Sequence, residues 1–274
     1  MNTAPDKSDA CYYETVNETA NRERVWRKPK RVLGIHGAPR KKRGATEMVY
    51  SHFIDGMKEA GAEVETVYLA EGEPNSCLGC FKCWTRDSGQ CHIQDNISEV
   101  VKKIPEYDLM IFATPLYGDG MSGLLKNFID RLMPLIHPSI FLKEGRCLHP
   151  CRYSNMPNLS LVSVCGFYEV ENFEPLVQHI SAVSMNMHMP LIATVLRPET
   201  LSLMDRNSER PMNQVKIALK EAGEMVIHGG RIAESIRQRI SQPILSKKDY
   251  LENAGEWWKT NNLLLKKEDA KCKK

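Results

Sequence analysis

One short segment restricts the fold more than any other: the five consecutive apolar residues Leu109–Ala113. A strand that is apolar at every position must be covered on both faces, which is typical of a parallel sheet enclosed by helices. Further short apolar runs predict four more strands, at 32–35, 64–69, 159–164 and 191–196. Helical periodicity occupies the intervals between them. The predicted fold class is therefore α/β, a doubly wound five-stranded parallel sheet with helices on both faces.

Capping signals and apolar stripes predict the helices. A helix with Val49 and Phe53 on its apolar face should end at Gly61. Another, over 97–104, should begin with a capping box formed by Asn96 and Glu99. Later stripes predict helices over 125–132, 173–180 and 215–228. We expect residues 1–30 to form an N-terminal arm, 31–230 the main domain, and 231–274 a helical extension with a basic tail.

Composition excludes several classes of protein. The 274 residues include 37 Lys and Arg against 34 Asp and Glu, with 42% hydrophobic residues. This is the composition of a globular chain rather than a disordered one. The near balance of charge argues against a nucleic-acid partner. No apolar run is long enough to span a membrane, and the first residues lack the apolar core of a signal peptide, so we expect a cytoplasmic protein without a membrane partner.

The cysteines are concentrated in one short segment. Four of the nine, Cys77, Cys80, Cys83 and Cys91, follow the pattern C-x2-C-x2-C-x7-C. Thiolates at this spacing can bind one [4Fe–4S] cluster. Zinc prefers two separated C-x2-C pairs, and free thiols in a reducing compartment are the third possibility. The pattern alone leaves all three open. Cys147 and Cys151, which flank His149, match no metal-binding spacing.

Three turns follow strands of the predicted sheet, where doubly wound folds bind ligands. The first, residues 37–46, is glycine-bearing and basic and leads into a helix N-terminus, which favours a phosphate. The turn matches neither the dinucleotide-binding pattern GxGxxG nor the P-loop pattern GxxxxGK(S/T). The alternative to a phosphate site is a plain turn with solvated basic residues. The second (114–122) and third (165–168) combine glycine with aromatic residues. A phosphate at one end and a flat ring at the other suit FMN.

The segments GAPRKKRGAT, CLGCFKCW with GQCHIQDN, and TPLYGDGMSGLLKNFIDR occur in this order. Together they resemble the NADPH-dependent FMN reductases of the flavodoxin-like superfamily, and within them the iron-sulfur flavoproteins. The resemblance covers about residues 31–260 and implies a flavodoxin-like fold, bound FMN and a homodimer or homotetramer. It implies these FMN contacts: Ala38, Arg40, Gly44, Ala45, Thr46, Pro115, Leu116, Tyr117, Gly118, Met121, Cys165, Gly166 and Phe167. It also implies that Cys77, Cys80, Cys83 and Cys91 ligate a [4Fe–4S] cluster.

The chain departs from the family pattern at two positions in the first turn. Ala38 and Ala45 replace polar residues, so backbone N–H groups, Arg40 and Thr46 must supply more of the phosphate contacts. The spacing to Cys91 is also at the long end of the cluster motif.

The resemblance implies an FMN-dependent oxidoreductase that moves electrons from NAD(P)H or a ferredoxin-like donor to a small-molecule or protein acceptor. Because the flavin carries the chemistry, no catalytic side chain is predicted. Three alternatives remain: a cluster-free NAD(P)H-dependent FMN or quinone reductase, a non-catalytic flavin electron carrier, and a flavin-free interaction module.

Overall fold

The structure, a computed structural model, describes residues 26–72, 74–86, 89–143, 145–200 and 209–256, without the side chains of 209–211. Its strands are β1 (Arg31–His36), β2 (Glu63–Tyr68), β3 (Leu109–Pro115), β4 (Phe141–Lys143), β5 (Arg146–Leu148), β6 (Asn158–Val164) and β7 (Leu191–Arg197). Five of them form one parallel sheet in the order β2-β1-β3-β6-β7. The predicted doubly wound sheet is confirmed. The strand order reverses between β1 and β3, and such a reversal opens the crevice in which these sheets bind ligands.

The helices are α1 (Ala45–Glu59), α2 (Lys82–Thr85), α3 (Asn96–Lys103), α4 (Gly123–Asp130), α5 (Glu174–Asn186), α6 (Glu209–Gly229) and α7 (Glu234–Ser241). Short 3-10 turns cover Leu69–Glu71, Ile104–Glu106, Met133–Leu135 and Val170–Phe173. Residues 247–256 are helical as well, so the predicted C-terminal helical extension is confirmed over its described part. Among the described residues, no helix combines the length and apolarity that a membrane span requires.

Two separate apolar cores lie on the two faces of the sheet. Along β3, Met110 and Phe112 face the core beneath α3, α4 and α5. Leu109 and Ile111 face the core beneath α1 and α6. All four side chains are fully buried, and a buried side chain of this size contributes about 1.5–3 kcal/mol. This alternation explains why β3 has no polar face in its sequence.

Helices α1 and α6 touch through glycine. A Cβ added at Gly56 would lie 2.0 Å from the carbonyl oxygen of Lys220, and one added at Gly223 would lie 2.1 Å from that of Phe53. Both distances are far inside van der Waals contact. The two glycines therefore allow the backbones of α1 and α6 to pack against each other beside the sheet.

The predicted capping box of α3 is wrong by one position. Asp95, not Asn96, caps the helix: its Oδ1 accepts from the Ser98 N–H at 3.0 Å, and its own N–H donates to Ser98 Oγ at 3.0 Å. Asn96 is already the first helical residue. Two elements were not predicted, the β4–β5 hairpin and the short helix α2, because neither is long enough to show a periodic pattern.

Candidate functional site

The three predicted turns meet at the carboxyl edge of the sheet. The Gly37 N–H donates to the Ala113 carbonyl at 2.7 Å, and Ser122 Oγ donates to the Gly37 carbonyl at 2.6 Å. These bonds join the first turn to the second. The Leu116 N–H donates to the Val164 carbonyl at 2.8 Å, which joins the second turn to the end of β6. The turns that the sequence singled out are therefore neighbours.

The first turn ends in a helix N-terminus without a side-chain cap. Gly44 precedes α1 with φ 136° and ψ 174°, a conformation that is essentially restricted to glycine. The first N–H groups of α1, beginning at Ala45 and Thr46, follow directly, and Arg40 is exposed beside them. The methyl group of Ala38 is buried. Such an uncapped N-terminus with adjacent positive charge fits a phosphate group.

The second turn presents mainly backbone and one aromatic ring. Leu116 and Met121 are each only 9% exposed and belong to the apolar core, and Pro115 is buried at the end of β3. Tyr117 is 54% exposed, and its N–H and carbonyl both bond to Gly120. Gly118 has a positive φ of 52°. A flat ligand would therefore meet Tyr117 and glycine backbone here rather than the side chain of Met121.

The third turn is also divided between buried and exposed groups. Cys165 is buried, and burial raises the pKa of its thiol to about 11; its Sγ contacts the Phe167 carbonyl at 3.6 Å. Gly166 and Phe167 are exposed, the latter by 56%. The Cys165 side chain is thus a neutral core group, whereas Phe167 offers an apolar ring to the edge of the sheet.

The C-terminal extension anchors this third turn. The Tyr250 hydroxyl donates to the Gly166 carbonyl at 2.6 Å. Beneath it, the fully buried Arg197 donates to the carbonyls of Ile240 and Gln242 at 2.8 and 2.6 Å. The equally buried Glu199 accepts from the N–H groups of Ile244 and Leu245 at 2.6 and 3.0 Å. Sequence reasoning missed this pair, since a charged residue next to a strand gives no sign that it will be buried.

A buried histidine lies just before the first turn. His36 is the last residue of β1 and is fully buried, with its ring against those of Tyr50 and Tyr68. Burial lowers the pKa of its imidazole to about 4, so the ring is neutral near pH 7. Its Nε2 lies 3.3 Å from Glu47 Oε2 in the first turn of α1. No sequence signal distinguished His36 from an ordinary strand residue.

The four clustered cysteines line one pocket. The pocket opens to solvent, and its wall includes Cys77, Cys80, Cys83, Cys91 and Arg131. Burial raises the pKa of Cys83, and neighbouring Cys91, Cys77 and Cys80 raise it further. Gly79 and Phe81 adopt positive φ angles of 59° and 52°, which bend the chain around the pocket.

Arg131 lies at the end of α4 and forms part of the pocket wall. Its guanidinium makes two hydrogen bonds of 2.9 Å to the carboxylate of Asp95. Burial of Asp95 opposes its ionisation, but the bonds from Arg131, Asn75 and the Ser98 N–H outweigh burial and lower its pKa well below the usual range. The Asp95 that caps α3 is therefore also the counter-ion of this buried arginine.

The other described cysteines lie outside the pocket. Cys147 is exposed on β5, and Cys151 contacts the Leu135 carbonyl at 3.5 Å. Cys11 and Cys272 lie outside the described residues. Within the described part of the chain, no three or more His, Cys, Asp or Glu side chains are arranged around a single metal-ion position.

Part of the chain is similar in sequence to known flavoproteins. Residues 30–144 match the family described as NADPH-dependent FMN reductase. An iron-sulfur flavoprotein of Methanocaldococcus jannaschii is 38% identical over 105 residues, which are 38% of this chain and 53% of that protein. One from Methanosarcina thermophila is 32% identical over 114 residues, 42% of this chain and 58% of that protein. The chain thus spans about half the length of these curated relatives, and the predicted resemblance is confirmed over that part.

Solved structures extend the agreement in fold over more of the chain. An FMN-dependent NADH-azoreductase from Bacillus anthracis, in complex with FMN, superposes with a TM-score of 0.55 at 13% identity, covering 72% of this chain and 99% of that one. An NAD(P)H:quinone oxidoreductase from Methanothermobacter marburgensis gives a TM-score of 0.50 at 15% identity, covering 73% of this chain and 96% of that one. At these identities the likeness establishes the flavodoxin-like fold.

Proposed function

We propose that this chain is an FMN-dependent oxidoreductase of the iron-sulfur flavoprotein type. It takes electrons from a reduced donor, NAD(P)H or a ferredoxin-like protein, and passes them to a small-molecule or protein acceptor. The observation that carries the proposal is the meeting of the three turns at the carboxyl edge of the sheet, with a pocket lined by four cysteines in the same chain. The match of residues 30–144 to FMN reductases supports it.

FMN would be held by the three turns. The uncapped N-terminus of α1 after Gly44, with Ala45, Thr46 and Arg40, would bind the phosphate. Tyr117 and Phe167 are the exposed rings on the other two turns and would contact the flavin. The remaining proposed contacts are made mainly by the backbone, from residues whose side chains are buried, small or absent: Ala38, Pro115, Leu116, Gly118, Met121, Cys165 and Gly166.

The cysteine pocket fits a [4Fe–4S] cluster better than a zinc ion. Zinc needs four ligands about 2.3 Å from one point, whereas the cysteines of a cubane each bind a different iron and stand farther apart. All four thiols line one pocket, and their single compact C-x2-C-x2-C-x7-C segment lacks the two separated C-x2-C pairs that zinc sites prefer. We therefore assign Cys77, Cys80, Cys83 and Cys91 as the proposed cluster ligands.

When bound, FMN supplies exchange between two-electron and one-electron transfer, and the cluster supplies one-electron transfer. The residues of the chain orient these groups. Helix α4 connects the two sites: Ser122 caps its N-terminus at the second turn, and Asp130 and Arg131 at its other end line the cysteine pocket. Eight helical residues span about 12 Å.

We also propose a homodimer or homotetramer in the cytoplasm, in which a second copy of the chain covers the flavin edge. The exposed rings of Tyr117 and Phe167 support this, because apolar side chains beside a ligand site are commonly covered by a partner.

The test compares three proteins purified without oxygen: wild type, Cys80→Ser and Cys147→Ser. We expect wild type to contain FMN and iron and to be reduced by NAD(P)H or by a ferredoxin. Cys80→Ser should lose iron and keep FMN, because its thiol lines the pocket away from the three turns. Cys147→Ser, which changes an exposed cysteine outside the pocket, should retain both.

The alternatives give different results. FMN without iron in all three proteins would indicate a cluster-free NAD(P)H-dependent FMN or quinone reductase. Flavin that is reduced by chemical reductant but gives no turnover with either donor would indicate an electron carrier. A colourless wild-type protein that does not take up added FMN would contradict the proposed function altogether.

A further inference from the structure

We propose that Arg131 is a positioning residue for the cluster in the cysteine pocket. It holds together the two ends of the cysteine segment and supplies a buried N–H donor and a positive charge to the sulfur atoms, so that the cluster is retained longer and is reduced at a higher potential. The inference rests on the proposed function, because it requires that the pocket bind a cluster.

Arg131 bonds to the backbone on both sides of the cysteine segment. Its Nη1 donates to the Asn75 carbonyl at 3.1 Å, and its Nη2 donates to the Ile93 carbonyl at 3.1 Å. Asn75 lies two residues before Cys77, and Ile93 lies two residues after Cys91. One side chain from α4 therefore joins the start and the end of the segment that carries all four proposed ligands.

The orientation of Arg131 is fixed by its counter-ion. Asp95 accepts from Nη1 and Nη2 at 2.9 Å each and from Asn75 Nδ2 at 3.0 Å. The arginine side chain is only 1% exposed and the aspartate side chain 17%. A planar guanidinium bound at both Nη atoms has little freedom to rotate. Lysine, with a single ammonium group, cannot make the same set of bonds.

The remaining N–H of this guanidinium has no hydrogen-bond partner in the described part of the chain. Arg131 Nε is buried and forms no hydrogen bond, which is rare for a buried donor. The residue lines the same pocket as the four cysteines, Cys91 among them. Hydrogen bonds to sulfur and nearby positive charge favour the reduced, more negative form of an iron–sulfur cluster.

The experiment measures two properties of the anaerobically purified protein: the midpoint potential of the cluster, followed by electron paramagnetic resonance, and the rate of iron release to a chelator. The variants are Arg131→Gln and Arg131→Lys. The control is Lys102→Gln, which removes a positive charge from α3 at an exposed ion pair with Glu99, outside the pocket. Retained FMN and thermal unfolding show whether each variant is folded.

We expect Arg131→Gln to lower the midpoint potential and to accelerate iron release by about 10- to 100-fold. Arg131→Lys keeps the charge but not the bonds to Asn75 and Ile93, so it should restore part of the potential while iron release stays fast. Lys102→Gln should behave as wild type. If Arg131→Gln does not fold, the result for Arg131→Lys decides.

Two results would overturn the inference while the proposed function stands. One is an iron-loaded wild type whose potential and iron release do not change in the Arg131 variants. The other is an equal shift in potential in Lys102→Gln, which would reduce the effect of Arg131 to long-range charge. A wild-type protein that binds FMN but never iron would refute the proposed cluster, and the inference with it.

Discussion

Gly44 should be required for tight FMN binding because of its backbone conformation. The change is Gly44→Ala. At φ 136° and ψ 174°, a residue with a Cβ is strained by about 1–3 kcal/mol. The nearest atoms to an added Cβ are Arg40 Cβ and Cδ at 3.5 Å, an ordinary contact. Strain rather than steric collision therefore determines the effect.

The free protein can escape this strain by rearranging the first turn, and FMN binding must then restore the strained form. If all of this strain energy opposes binding, the dissociation constant for FMN rises by about 5- to 150-fold. The assay is the quenching of FMN fluorescence on addition of apoprotein, combined with urea unfolding of the apoprotein to measure any strain that remains in the free state.

Gly61→Ala is the matched control at the other end of α1. Gly61 also has a positive φ, 92°, and an added Cβ would meet no atom within 4 Å. Its substitution should lower the free energy of unfolding by about 1 kcal/mol and leave FMN affinity unchanged. The reasoning would be refuted if Gly44→Ala bound FMN as tightly as wild type and unfolded at the same urea concentration.

Three further predictions concern single substitutions. Gly223→Ala should lower the free energy of unfolding, measured in urea, by about 1–3 kcal/mol, because the added Cβ would lie 2.1 Å from the Phe53 carbonyl oxygen. This clash outweighs the gain in helix propensity of about 1 kcal/mol. A more stable variant would contradict the close packing of α1 and α6. Tyr117→Ala should weaken FMN binding or shift the flavin potential, and unchanged values of both would exclude its role in stacking. Burial lowers the pKa of His36 from 6.5 in the unfolded chain to about 4 in the folded protein. The contribution of His36 to the free energy of unfolding is therefore present above pH 6.5 and is lost as the pH falls towards 4, by about 2 kcal/mol between pH 7 and pH 5. His36→Phe should lose less stability over this range in the same urea titrations, and an equal loss would show that other groups cause it.

Local patterns were sufficient to predict the central sheet and its main helices. The unbroken apolar run of β3 required cover on both faces, and the structure has one core on each side of it. The α3 cap was misplaced because Asn96 with Glu99 is as good a local pattern as Asp95 with Ser98. What decides between them is the bond from Arg131 to Asp95, which joins residues 36 positions apart.

The candidate site, too, could be predicted from the sequence only in part. The positions of the three turns follow from strand ends, which the sequence shows. The sequence does not show which side chains of these turns point outwards. Met121 and Cys165 are buried, while Tyr117 and Phe167 are exposed. Arg131 carried no signal because its importance comes from carbonyl groups at Asn75 and Ile93, and backbone acceptors look the same at every position in a sequence.

The proposed iron-sulfur flavoprotein function is tested most directly by the content of FMN, iron and acid-labile sulfide per chain, measured on protein purified without oxygen. The proposal predicts one FMN with about four iron and four sulfide, bound to the three turns and to Cys77, Cys80, Cys83 and Cys91. One FMN with neither iron nor sulfide would contradict the cluster, and the absence of FMN would contradict the flavin site itself.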